Sequence, residues 1–238
     1  MALTAKPYLR AVSLDPDAQF DSTSYPFNIP AVREMHTIEL HPDVTFLVGE
    51  NGAGKSTLLE AMAVAMDLPA EGGSRNVSRQ QQEVSALQEH IRLQTSFRRP
   101  EWSYFLRAES LFNVFSYLDS IGSTRPSLHL RSHGEAFMDV MLDFRRRGLY
   151  LLDEPEAALS PSRQLAALSA IDGLVKQECQ FIIATHSPIL LAYPRAKILL
   201  CDGSGISEVA YQDTEHYAIT RDFLNHHERR LQQLLDDE

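Results

Sequence analysis

Cysteine is nearly absent from this 238-residue chain: Cys179 and Cys201 are the only two, and they lack metal-ligand spacing. That excludes a disulfide scaffold and a thiolate zinc site, and it points to a reducing, intracellular setting. Basic residues fall short of acidic ones, 22 against 32, which leaves a formal net charge of −10. A deficit of that size argues against whole-protein attraction to nucleic acid or to an anionic membrane. Local patches stay open at Arg98, Arg99 and Arg107 or at Arg145–Arg147, although a solvated helix end or loop is the commoner place for such arginines. No apolar run approaches the roughly 18 residues that span a bilayer. The opening MALTAKPYLRAVSLD lacks the apolar stretch of a signal peptide. Internal repeats and long heptad arrays are missing too. The expectation is a soluble, cytoplasmic protein whose membrane association, if any, runs through a partner.

With 44% hydrophobic residues the chain can bury a core of ordinary size, and short apolar runs set out its elements. Residues 7–14 and 35–40 read as strands, and VTFLVG at 44–49 reads as a buried strand ending at glycine. STLLEAMAVAMDL then reads as a helix with apolar residues on nearly every face. Residues 69–82 form a glycine-rich, polar loop, and SYFLRA at 103–108 is a strand followed by a helix over ESLFNVFSYLD and a linker at 123–127. GEAFMDVMLDFR is helical, with Phe137, Val140 or Met141, and Phe144 at helical spacing, and LYLL at 149–152 is a buried strand. Ser160-Pro161 supplies an N-cap and an N1 proline for a helix to about residue 178, with Leu165, Leu168, Ile171 and Val175 on one face. FIIATHS, KILLC and ISEVA are further strands, Ser187-Pro188 repeats the cap-and-proline device, and a charged amphipathic helix over about 220–235 ends the chain. Short apolar strands alternating with helices imply an α/β fold with a mostly parallel core sheet flanked by helices.

GENGAGKST at 49–57 matches the pattern G-x-x-x-x-G-K-[ST] directly after a strand and at the opening of a helix. Gly49, Gly52 and Gly54 let the backbone curl, so that successive N–H groups, with Glu50, Asn51 and Ala53 completing the loop, face phosphate oxygens. The helix N-terminus adds its positive dipole end. Lys55 reaches the β- and γ-phosphates, Ser56 offers its hydroxyl to Mg²⁺, and Thr57 can contact the α-phosphate. A glycine-rich turn is the plainer reading, but it does not account for the lysine and the hydroxyls at these positions. The expected ligand is a nucleotide with Mg²⁺.

A phosphate loop of this kind needs a carboxylate at the end of a neighbouring strand, and LYLLDE supplies Asp153 there. Glu154 follows and can act as general base or orient water for hydrolysis. His186, at the end of the next strand, can bond a γ-phosphate oxygen or the attacking water. Ser132, His133, Gly134 and Glu135 form a polar group, SHGE: a turn would explain the glycine and a helix cap the serine, but neither explains its place shortly before LYLLDEPE.

Taken in order, the phosphate loop, SHGE, LYLLDE and FIIATHS resemble the ABC-type ATPase superfamily. SHGE and DEPEAALSPSR are more similar to its soluble branch, the SMC-, RecF- and OLD-like ATPases, than to a transporter cassette. The resemblance implies one ABC-type ATPase domain over 1–238. Its nucleotide-binding core would lie at 1–68 and 148–213, a helical subdomain carrying the signature at 69–147, and a C-terminal helix at 214–238. It also implies an antiparallel N-terminal β element and a homodimer with ATP sandwiched between subunits. Ser132, Gly134 and Glu135 of one copy would meet the γ-phosphate held by the other. The family's aspartate after the Walker B strand is replaced by Ser160. Its glutamine between loop and signature has two candidates, Gln94 and the favoured Glu109, which would join Ser56 and Asp153 around Mg²⁺. Its adenine-stacking aromatic is Tyr25 or Phe27. A transporter's ATP-binding subunit working with membrane partners is the alternative, and nucleic acid stays possible as a partner.

Overall fold

A computed structural model describes residues 6–74, 85–108 and 133–235. The strands are β1 (Leu9–Leu14), β2 (Ile38–Glu39), β3 (Val44–Val48), β4 (Gly73–Ser74), β5 (Ile91–Thr95), β6 (Trp102–Arg107), β7 (Gly148–Asp153), β8 (Gln180–Ala184), β9 (Ala196–Asp202) and β10 (Gly205–Val209). The α-helices are α1 (Pro30–Arg33), α2 (Lys55–Ala65), α3 (His133–Leu142), α4 (Pro161–Val175), α5 (Pro188–Leu191) and α6 (Glu215–Leu235). Seven strands form the main sheet in the order β10-β9-β3-β8-β7-β6-β4. Its five central strands, β9 to β6, pair in parallel, and β10 and β4 add antiparallel edges. A second sheet, β2-β1-β5, is antiparallel.

Period-2 alternation sends each central strand's side chains to two cores. Phe46, Tyr150, Leu152, Phe181 and Ile183 join one cluster with Phe137 and Met141 of α3 and Ile171 of α4. Leu47, Leu149, Leu151, Ile182 and Ala184 join the other with Leu58, Leu59 and Met62 of α2. Helices α2 and α3 therefore cover opposite faces of the sheet. A small third cluster of Phe27, Val32, Ala61 and Leu87 packs against α2, which explains a helix apolar nearly all round. The fully buried amide of Gln180 ties the second sheet to the main one: its Nε2 donates to Leu9 O at 2.8 Å, and its Oε1 accepts from Leu9 N–H at 3.0 Å.

Several expected elements shift. The helix after Pro161 ends at Val175, not about 178, and its buried residues are Gln164, Ala167, Ile171, Leu174 and Val175, while Leu165 is 60% exposed. The buried face is rotated because Gln164 can lie inside: its Nε2 donates to Leu159 O and its Oε1 accepts from Ser187 Oγ. Ser160 makes no side-chain cap bond, whereas Ser187 Oγ does accept from the N–H groups of Ile189 and Leu190. Phe144 lies beyond the end of α3 but still stacks on Tyr150 at 4.0 Å. Within the expected polar loop, Gly73–Ser74 is an edge strand, and β5 is a strand the apolar pattern had not marked. The last helix begins at Glu215 rather than near 220. The expected helix over ESLFNVFSYLD, the 123–127 linker and residues 75–84 lie outside the described residues.

This face assignment predicts an asymmetry within α4. Ile171→Ala should lower unfolding free energy by about 2–5 kcal/mol, while Leu165→Ala should change it by less than about 0.5 kcal/mol. Urea unfolding followed by circular dichroism measures both, and equal losses would contradict the rotation.

Candidate nucleotide site

Strand β3 is buried at every position and stops at Gly49, where φ is +147° and a Cβ would lie 2.1 Å from the Cys201 carbonyl oxygen. A side chain cannot fit, so the chain turns away from β9 at this residue and starts the loop. Gly54, left-handed at φ +95°, delivers the loop into α2. Lys55, only 3% exposed, folds back so that Nζ donates to Gly49 O and Glu50 O, both at 2.9 Å. Burial pulls its pKa below the ordinary lysine value, against the attraction of Glu154 and Asp153.

Because β7 and β3 both pair with β8 in parallel, their C-terminal ends lie at one edge of the sheet. Ser56 Oγ donates to Asp153 Oδ1 at 2.8 Å. On the other side Asp153 Oδ2 is 3.3 Å from Arg107 Nε, and Arg107 Nη1 also pairs with Glu60 at 2.7 Å. Among the described residues no cluster of three His, Cys, Asp or Glu side chains could hold a metal alone. The hard oxygens of Ser56 and Asp153 nonetheless fit Mg²⁺, which takes one or two protein oxygens and completes its shell with phosphate and water.

Glu154 adopts a left-handed backbone, φ +47° and ψ +54°, which is strained for a non-glycine residue. Its N–H donates to Ala184 O at 2.9 Å, and the turn Pro155–Ala157 follows. Glu156, which sequence reasoning missed, lies in that turn and accepts from Thr185 Oγ1 at 2.7 Å and from the His186 backbone N–H. Burial raises its carboxyl pKa, opposed by those two bonds. DEPE was the visible signal, but nothing in it says that the second glutamate turns inward. His186 Nε2 stands 3.5 Å from Glu154 Oε1, too long for a good hydrogen bond, and has no partner among the described residues. Its Nδ1 is 2.9 Å from His216 Nε2 on α6. Burial and then Lys55 hold the His186 pKa below its ordinary value.

The structure thus gathers the loop at 49–57, Asp153, Glu154 and His186, and adds Glu156 and His216. A cavity of about 510 Å³ runs from Gly49–Ala53 past Cys201 to His216, so the last helix borders the site. Gly134 and Glu135 are held on α3 instead. Glu135 pairs with Arg163 at 3.3 Å, and a Cβ at Gly134 would lie 2.8 Å from Ala158 O. Ser132 and Glu109 lie outside the described residues, although Ala108 N–H donates to Asp153 O at 3.2 Å. Gln94 sits exposed on β5, paired with Ala11 in the second sheet. Of the two aromatics, Phe27 is buried and stacks on Phe20 at 4.3 Å. Tyr25 is 65% exposed, with its hydroxyl 3.1 Å from Thr57 Oγ1.

A parallel sheet whose strand ends carry a glycine-rich loop, a buried lysine and paired acids defines the P-loop NTPase class. The AAA domain family matches residues 27–140. The chain is 25% identical over 220 residues to the ABC-type transporter vrcC of Aspergillus aculeatus, covering 79% of this chain and 16% of that protein. It is 27% identical over 207 residues to the ABC-type transporter oblD of Aspergillus clavatus, covering 73% and 14%. It therefore spans about a sixth of the length of these relatives. Its fold matches cbiO1 from Clostridium perfringens, part of the ABC transporter complex cbiONQ, with TM-score 0.52 at 15% identity over 97% of this chain and 99% of that one. The chain thus shares its fold with that ABC transporter component.

Gly49→Ala should destabilise the protein by more than about 2 kcal/mol, the range of severe steric and backbone defects. Gly203→Ala, with nothing within 4 Å of the added carbon, should be close to neutral. Thermal unfolding of the two variants checks the contact; equal midpoints would refute it.

Proposed function

We propose that the chain binds and hydrolyses ATP as an ABC-type ATPase, and that two copies close around ATP as a mechanical switch. The gathering of the phosphate loop, Asp153, Glu154 and His186 at one sheet edge carries this reading. Lys55 leaves the carbonyls of Gly49 and Glu50 for the β- and γ-phosphates, while loop N–H groups and the α2 dipole hold the anion. Thr57 lies within reach of the α-phosphate, and the exposed ring of Tyr25 is the better placed of the two aromatics for adenine. Ser56 and Asp153 hold Mg²⁺, which supplies charge neutralisation at the phosphates. Glu154 orients or deprotonates the attacking water, and His186 Nε2 donates to the γ-phosphate.

The two-copy site is supported by the sheet's two faces. Helix α2 opens from the phosphate loop on one face, and α3, carrying Gly134 and Glu135, packs on the other. Ser132 and Gly134 would then serve a phosphate held by a second copy, with Glu109 completing the Mg²⁺ shell of its own. SHGE and DEPE favour a stand-alone switch of the SMC/RecF/OLD-like kind, in the cytoplasm and in nucleic-acid maintenance or defence. The relatives' transporter names favour a second reading, an ATP-binding subunit that drives membrane partners. Among the described residues no helix is long and apolar enough to cross a membrane, so such partners would be separate chains or segments.

Glu154→Gln keeps the shape of the side chain and removes its basicity, so MgATP should persist and the dimer accumulate. Ser132→Arg in the same background should return the protein to monomer. Light scattering with and without MgATP reads both. A Glu154→Gln protein that remains monomeric at saturating MgATP, or that hydrolyses at the normal rate, overturns the two-copy site.

A further inference from the structure

Helix α6 enters the site by its first turn only. Strand β10 runs back along β9, and the turn Tyr211–Asp213 then carries the chain to Thr214, which is 1% exposed. Thr214 Oγ1 donates to Tyr211 O at 2.8 Å, and Ala218 N–H donates to Thr214 O at 3.0 Å, so the helix starts from a fixed point. Tyr211 Oη donates to Pro188 O at 2.8 Å and ties that start to the segment that carries His186. No residue of α6 is buried, so its contact with His186 does not serve to bury a core. The rings of His216 and His186 meet tilted at 54° with centroids 5.1 Å apart, and Nε2 of the first lies 2.9 Å from Nδ1 of the second.

Two neutral imidazoles at that distance share one hydrogen bond, and one ring must donate while the other accepts. Burial depresses both pKa values, and Lys55 on the same side reinforces it, so both rings are neutral near pH 7. The charged groups around the pair are Lys55, Glu154, Glu156 and Glu215. Of these, Glu154 lies 3.5 Å from His186 Nε2. That is beyond a good hydrogen bond but close enough that its negative charge favours a proton rather than a lone pair on that nitrogen, since a carboxylate only accepts. The His186 proton therefore belongs on Nε2, which leaves Nδ1 as an acceptor and requires His216 to donate. Which nitrogen of a histidine carries the proton is set by the bond that the other nitrogen makes.

We propose that His216 is a positioning residue of this site: its Nε2–H bonds His186 Nδ1 and fixes His186 as the tautomer that presents Nε2–H to Glu154 and the terminal phosphate. The role rests on the ATPase reading above, in which His186 meets the γ-phosphate. His216 itself touches neither phosphate nor water in this scheme. It acts by keeping a donor, rather than a lone pair, turned towards the anion. Without it, His186 exchanges between tautomers, and the fraction with a lone pair towards the phosphate is inactive.

The test combines histidine nitrogen NMR on the full-length protein with steady-state ATP hydrolysis by wild type, His216→Ala, His216→Gln and His186→Ala. Wild type should show His186 protonated at Nε2 and bare at Nδ1. His216→Ala should give averaged His186 nitrogens and a kcat lower by on the order of 10-fold, the usual range for an orienting partner, with KM for ATP little changed. His216→Gln, whose amide can still donate, should recover most of both. A wild-type spectrum with the proton on His186 Nδ1 overturns the proposal, whatever the variants do. So does a His216→Ala protein with unchanged His186 nitrogens and unchanged kcat while His186→Ala is inactive. Normal turnover by His186→Ala defeats the ATPase role given to His186, and the spectra then still decide the His216 bond alone.

Discussion

The approach of Gly49 to the Cys201 carbonyl fixes where the central strand stops, and the site is built from that point. Strand β3 lies between β9 and β8 and is buried on both faces, so it cannot slide without moving apolar side chains to the wrong core. With β3 held, the loop must leave the sheet at Gly49. The parallel register of β8 and β7 then brings Asp153 and Glu154 to the same edge. The contact between Ser56 and Asp153, residues far apart in the chain, follows from this alignment. A substitution at Gly49 would change both the loop and the strand that aims it.

The same two-faced burial organises the helices. Odd and even positions of β7 and β8 alternate between the α2 core and the α3–α4 core, so neither face can lose its cover. The loop at 49–57 belongs with one cover, and Gly134 and Glu135 with the other. Gly134 packs closely against the carbonyl of Ala158, and Glu135 pairs with Arg163, so that segment is held to the start of α4, just after the acids of β7. The phosphate loop and the Gly134–Glu135 turn of α3 thus lie with opposite covers of one sheet.

Much of this could be read from the chain because its signals are local. A glycine-rich loop after an apolar strand, an acid pair after LYLL and a histidine after FIIAT each lie within a few residues of the element that aims them. The parts that could not be read depend on contacts between distant segments. Nothing near His216 reports that α6 folds back on His186, and nothing in DEPE shows which glutamate turns inward. The buried face of α4 was misplaced because Gln164 and Ala167 do not look like core, yet Gln164 has both ends of its amide satisfied inside. Strand β5 escaped notice because Arg92 and Gln94 point outward and leave only Ile91 and Leu93 as apolar positions.

The central claim is that residues 49–57 hold the phosphates of a nucleotide, with Lys55 as the cation. Calorimetric titration of MgATP into wild type and Lys55→Ala tests it most directly. A hydrogen bond to a charged partner contributes about 1.5–3 kcal/mol, so the variant should bind at least about ten-fold more weakly. The same affinity in both proteins, with the fold intact by circular dichroism, would contradict the account.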